Sequence, residues 1–160
     1  MGGAGSRRTL RRAARSRAPR RQADRDAAMR PHLEKAEQSL RSAELLLGAG
    51  DLDGAVNRTD YSCYDAARGT LEAVDGVDTR EIKSHAGLIR LFNLRIVKQG
   101  LMSLATGRLI GREEQLRLFA DYGDGVHERA EAELAIEQAK QFVAACLSLI
   151  KIQNKETEEQ

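Results

Sequence analysis

The sequence has no tryptophan, and only three Phe and three Tyr among its 160 residues. A hydrophobic interior must therefore be assembled from Leu, Ile, Val and Ala. Two prolines leave long stretches without a helix breaker. Two cysteines, Cys63 and Cys146, are too few for a disulfide framework and sit at no metal-ligand spacing. Both read as buried small hydrophobes rather than reactive thiols. No apolar run approaches the ~18 residues that a membrane span needs, so no membrane association is expected. No segment alternates polar and apolar residues for long enough to predict a strand.

Charge of one sign is scarce only locally. The formal net charge is +2, yet residues 1–28 hold nine Arg against Asp24 and Asp26, a net of +7. The remaining 17 bases and 22 acids give residues 29–160 a net of −5. An Arg-rich segment with Leu10 as its one large apolar residue before Met29 cannot bury enough surface to offset its ordering entropy, so residues 1–28 are expected to be disordered. Two readings of this tail stay open. It is a basic arm that tracks nucleic-acid phosphates, or Met29 is the native start and the tail is not part of the protein.

From Met29 onward the pattern is helical. Leu33, Ala36, Leu40, Ala43 and Leu47 recur at steps of three and four, predicting a helix over residues 31–47. Pro31 suits its first turn, and Gly48-Ala49-Gly50 ends it. A second helix over 51–74, capped by Asp51, turns Val56, Cys63, Ala67, Leu71 and Val74 inward. A third over 84–99 presents Leu88, Phe92 and Ile96 and stops at Gly100. A fourth covers 112–122, with an earlier start near Ser103 as the open alternative. The last covers 126–150, with Ala135, Ala139, Phe142, Cys146 and Leu149 as its buried line. The fold expected is all-α: a four- to five-helix antiparallel up-and-down bundle over residues 29–152, with a frayed polar end at 153–160.

Three clusters carry polar chemistry. Lys83 and His85 flank Ser84 at the start of the third helix, where free backbone amides attract anions; capping and packing is the simpler role. Arg117 and Asp121 lie four apart on one helix face, with Tyr122 beside them. At a subunit seam the Arg117 guanidinium could hold a phosphate bidentately. Tyr61 and Tyr64 lie one turn apart among Arg58, Asp60 and Arg68, which points to a buried polar network or a wet interface.

The order of these clusters resembles HEPN domains (higher eukaryotes and prokaryotes nucleotide-binding), and most closely the small stand-alone prokaryotic ones. The matching stretches are Ala49-Gly50-Asp51 with Ala55-Val56, and Arg58 and Tyr61 with Ala66-Ala67-Arg68. They continue with Lys83-Ser84-His85-Ala86-Gly87-Leu88, Leu91-Phe92-Asn93-Leu94, Val97-Lys98 and Gly100, and close with Arg117 and Ala120-Asp121-Tyr122-Gly123-Asp124. The resemblance spans about residues 30–150.

It implies a homodimeric, cytoplasmic helical bundle without cofactor or metal. It further implies a partner, a minimal nucleotidyltransferase, with which the protein would form a toxin–antitoxin-type module. Many relatives cleave RNA without metal, using an Arg followed a few residues later by a His. Here Tyr122 occupies the position expected for that His, and His127 lies ten residues past Arg117. Asp60 also stands where related sequences suggest a second aromatic. The expectation is therefore a binding module with Lys83, His85, Arg117, Asp121 and Tyr122 lining a dimer cleft for nucleotide or RNA. Tyr122 doubles as a modification acceptor. The alternative is an endoribonuclease with an atypical site: Arg117 as phosphate clamp, and His85 or His127 as base.

Overall fold

The computed structural model describes residues 20–123 and 126–159 of the chain. Five α-helices account for most of them: α1 (Gln22–Gly48), α2 (Leu52–Thr70), α3 (His85–Phe92), α4 (Leu104–Tyr122) and α5 (Arg129–Glu158). α2 and α3 each run on into a π-helical turn, Leu71–Asp75 and Asn93–Val97, and a 3-10 turn covers Thr79–Glu81. There is no strand among the described residues, and no helix is long and apolar enough to cross a membrane. The chain is the all-α bundle that its periodicity predicts.

The connections follow from local chemistry. Gly50 adopts a positive φ of 81°, a backbone state that costs a residue with a Cβ far more than glycine. This turns α1 back onto α2, where the Asp51 side chain accepts the Gly54 N–H at 2.8 Å. Ser84 caps α3 by accepting the Gly87 N–H at 3.0 Å, and Ser103 caps α4 by accepting from Thr106 at 3.1 Å. α5 starts at Arg129, three residues later than Val126. There the Glu128 and Glu131 side chains and backbone amides satisfy one another in a capping box.

α2 is the axis of the bundle and touches every other helix. Cys63, Ala66, Ala67 and Leu71 from α2 and its extension meet Leu88, Phe92 and Ile96, Ile110 of α4, and Ala139, Phe142 and Cys146 of α5, all fully buried. Phe92 and Phe142 pack with ring centroids 5.4 Å apart. Small residues bring the rods close: a Cβ on the buried Gly107 would overlap the Val97 methyl groups. Both cysteines are buried and free. Burial pushes the Cys63 thiol up and the Cys146 thiol up to about 12, so neither is a nucleophile at neutral pH.

Both predicted ends need correction. The helix expected from Pro31 begins at Gln22, with Pro31 inside it, so residues 20–28 are part of the bundle and not of a disordered tail. The Gln22 amide donates to Asn154 at 3.0 Å, Arg20 pairs with Asp78 at 3.0 Å, and the Arg25 guanidinium lies against Gly76. The other end also differs from the frayed one expected over 153–160: α5 stays helical through Glu158, with Asn154 accepting from Gln22. The expectations for residues 1–19, and for the Asp124-Gly125 part of the predicted turn, fall outside the described residues.

Candidate functional site

The centre of the site is Asp60, midway along α2 and fully buried. α2 and its π-helical continuation carry Asp60, Tyr64, Arg68 and Glu72 at every fourth position, a spacing that keeps side chains near one stripe of a helix. Asp60 is the first rung. Its Oδ2 accepts from Arg117 Nε of α4 at 2.6 Å, and its Oδ1 lies 3.1 Å from His85 Nε2 of α3. One carboxylate thus holds a guanidinium and an imidazole from two other helices.

Each partner is fixed a second time. Arg117 donates through Nη1 to Asp121 Oδ2 at 2.9 Å, the i,i+4 pair that the sequence offers. It is not an isolated surface pair, because the Arg117 side chain is only 16% exposed. Partial burial works against the Arg117 charge, but the hydrogen bonds and negative charges of Asp60 and Asp121 outweigh it, and the guanidinium is held protonated more firmly than usual. The His85 ring stacks on Tyr64 with centroids 4.3 Å apart. The Arg68 guanidinium lies 5.8 Å from the Tyr64 ring centre and donates to Thr79, whose hydroxyl donates to Glu72 at 2.5 Å. About 18 Å along the helix from Asp60, by the 1.5 Å rise per residue, Glu72 lines a cavity of about 400 Å3 with Arg20, Asp24, His32 and Arg80.

A second buried acid stands behind Asp60. Glu113 of α4 is fully buried, and its Oε2 lies 2.6 Å from the Thr59 hydroxyl, which is itself 2.7 Å from the Val56 carbonyl. A hydroxyl has one proton for two oxygens, so a protonated Glu113 completes the chain by donating to Thr59. Burial, helped by the Asp60 charge, pushes the Glu113 carboxyl up to about 7 against the opposing effects of the Thr59 hydrogen bond and Arg112.

Of the residues singled out in the sequence, His85, Arg117 and Asp121 come together around Asp60. Lys83 and Tyr122 stay apart: both are exposed, Tyr122 by 83%, and neither side chain has a polar contact among the described residues. His127 is no base for this site. It is 3% exposed, its Nε2 donates to the Leu116 carbonyl at 2.8 Å, its backbone N–H donates to Asp53, and its ring packs on Phe119. It pins the α4–α5 corner to the start of α2. Asp60 itself is missing from the sequence-derived set, although the four-residue spacing from Asp60 to Glu72 is visible in the sequence. Among the described residues no group of three or more His, Cys, Asp or Glu is placed to hold a metal ion.

Asp60, His85 and Arg117 thus meet between three helices of a small all-α bundle. Residues 29–151 match the family model described as "HEPN domain", and the chain belongs to that family. Among curated relatives, the UPF0332 protein glr0978 of Gloeobacter violaceus is 28% identical over 120 residues, covering 74% of this chain and 92% of its own. The Methanocaldococcus jannaschii protein named "Putative toxin MJ0605" is 33% identical over 113 residues, 69% of this chain and 80% of that one. The UPF0332 protein PH1297 of Pyrococcus horikoshii matches over 71 residues at 38% identity, 44% of this chain and 47% of that one.

Proposed function

We propose that this HEPN protein is the toxin-type half of a two-component cytoplasmic module, that its partner is a minimal nucleotidyltransferase, and that the Asp60–His85–Arg117 cluster binds an RNA or nucleotide phosphate in a homodimer cleft. The observation that carries this reading is the shared carboxylate. Arg117 spends its Nε on buried Asp60, so a phosphate would meet its terminal nitrogens, of which Nη1 is bonded to the partly exposed Asp121. His85, 21% exposed, is anchored beside it through the other oxygen. Two phosphate-binding groups preorganised at one place lose little freedom on binding. The name of the Methanocaldococcus jannaschii relative supports the toxin-type assignment. Tyr122, 83% exposed at the end of α4, is open to modification by the partner.

One observation favours a second reading, metal-independent RNA cleavage. With His85 Nε2–H donated to Asp60, the lone pair of neutral His85 is on Nδ1, the arrangement of an oriented general base. His85 would take the ribose 2′-hydroxyl proton, the 2′ oxygen would attack phosphorus while Arg117 steadied the added negative charge, and the 5′ oxygen would leave with a proton from the imidazolium or water.

Incubation with total RNA in EDTA separates the two. Cleavage that vanishes in both Arg117→Ala and His85→Ala assigns an endoribonuclease. RNA retained without cleavage, and released by Arg117→Ala, assigns a binding module. Neither outcome in a folded protein, or a clean monomer by sedimentation at micromolar concentration, overturns the cleft assignment. Partner binding is tested by co-purification with a nucleotidyltransferase encoded in the adjacent reading frame.

A further inference from the structure

Arg117 is engaged on two sides that differ in kind. Its Nε partner, Asp60, is fully buried and belongs to the interior. Its Nη1 partner, Asp121, is 35% exposed and stands on the solvent side of the guanidinium. A phosphate reaching Arg117 from solvent must come to the terminal nitrogens, because Nε is taken. A carboxylate is already there. Arg117 with Asp60 and Asp121 sums to one negative charge, so the closed arrangement repels an anion.

Asp121 is also poorly placed for its own helix. It is the second-last residue of α4, where the partial negative charge of the helix terminus disfavours an acid. No basic residue lies in that last turn, and the hydrogen bond to Arg117 is what holds the side chain down. Beyond it Tyr122 is 83% exposed, and the Gly123 N–H closes the helix on the Phe119 carbonyl at 2.8 Å. The α4 terminus therefore leaves Asp121 free to swing out without disturbing the Asp60 contact.

We propose that Asp121 is an internal stand-in for the ligand phosphate: a latch that occupies the open edge of Arg117 and is displaced when a phosphodiester of single-stranded RNA binds. The exchange replaces one monoanion by another at Nη1, while Asp60 keeps the guanidinium in place through Nε. The proposal rests on the phosphate-binding reading above. It adds that the affinity of the site is set by competition with its own carboxylate.

The experiment is a fluorescence-anisotropy titration of a fluorescein-labelled single-stranded oligoribonucleotide against the full chain. The variants are Asp121→Asn, Arg117→Ala, the two combined, and Glu137→Gln. The last removes one negative charge from an exposed position of α5 and measures the effect of net charge alone. A latch closed nine-tenths of the time lowers apparent affinity about tenfold, so Asp121→Asn is expected to bind about tenfold more tightly than the parent chain. Glu137→Gln should change affinity less than about twofold, as expected for a screened surface charge. The gain should be absent from the double variant.

Asp121→Asn binding no better than the parent chain overturns the latch, as does a gain equal to that of Glu137→Gln or one that survives Arg117→Ala. If Arg117→Ala alone weakens binding while Asp121→Asn has no effect, the latch fails and the phosphate-binding reading stands. If neither the parent chain nor Asp121→Asn binds, both fail. A circular-dichroism melt of each variant confirms that the helices are intact.

Discussion

Asp60 gives one oxygen to Arg117 and the other to His85, so a change at this residue reaches α3 and α4 together. Asp60→Asn keeps the shape but removes the charge and turns one acceptor into a donor. It leaves a largely buried guanidinium short of a partner, and losses for broken buried pairs run to about 3 kcal/mol. Urea denaturation should show a drop of that order, and an unchanged midpoint would mean that the pair is not the keystone described. Glu113 makes a different prediction. Its carboxyl keeps its proton up to about pH 7 in the fold, against 4.5 in the open chain. The resulting stabilisation is complete below pH 4.5 and is lost as pH rises through 7, on the order of 3 kcal/mol in all. Unfolding measured at pH 5 and pH 8 should therefore differ more in the parent chain than in Glu113→Gln, whose amide does not titrate. The polar residues were only half legible in the sequence. Arg117 and Asp121 share a helix face and declare themselves locally, and His85 stands beside a recognisable cap. Asp60 reads only as one member of the polar cluster around Tyr61 and Tyr64, because the partner that sets it apart is a guanidinium 57 residues away.

Among the five α-helices, α3 carries the imidazole of the candidate site and is the shortest, with eight residues. An isolated helix of that length does not form in water. It is held by the Ser84 cap, by Leu88 and Phe92 in the core, and by His85 on Asp60. Ser84→Ala should cost about 1 kcal/mol, the usual value of an N-cap. It should also speed amide hydrogen exchange in α3 ahead of the other helices, and uniform exchange across the bundle would contradict this. The interior faces of these helices were legible because apolar spacing encodes which side is buried: Leu88, Phe92 and Ile96 are buried as their period predicts. Their ends were less so. The start of α5 depends on reciprocal bonds between Glu128 and Glu131, which composition near Val126 does not reveal.

At the scale of the molecule, the start of α1 and the last turns of α5 close on each other. Gln22 and Asn154 are 132 residues apart and share a hydrogen bond, and Arg20 reaches Asp78. A local reading sees an arginine-rich tail and a polar terminus, and it cannot see that each supplies the other's partner. A chain begun at Met29 should melt at lower temperature than the full chain, by the equivalent of about 1 kcal/mol for the part-buried bond and ion pair removed. Equal melting temperatures would show that residues 20–28 add nothing to the fold.

The interior also supplies its own clock. Cys63 on α2 and Cys146 on α5 have no exposed surface, so a maleimide dye cannot reach either sulfur until the two rods part. The rate at which the dye accumulates on the protein then counts openings of the whole bundle, with no foreign label built in. Any ligand that braces the helices will announce itself as a slower count.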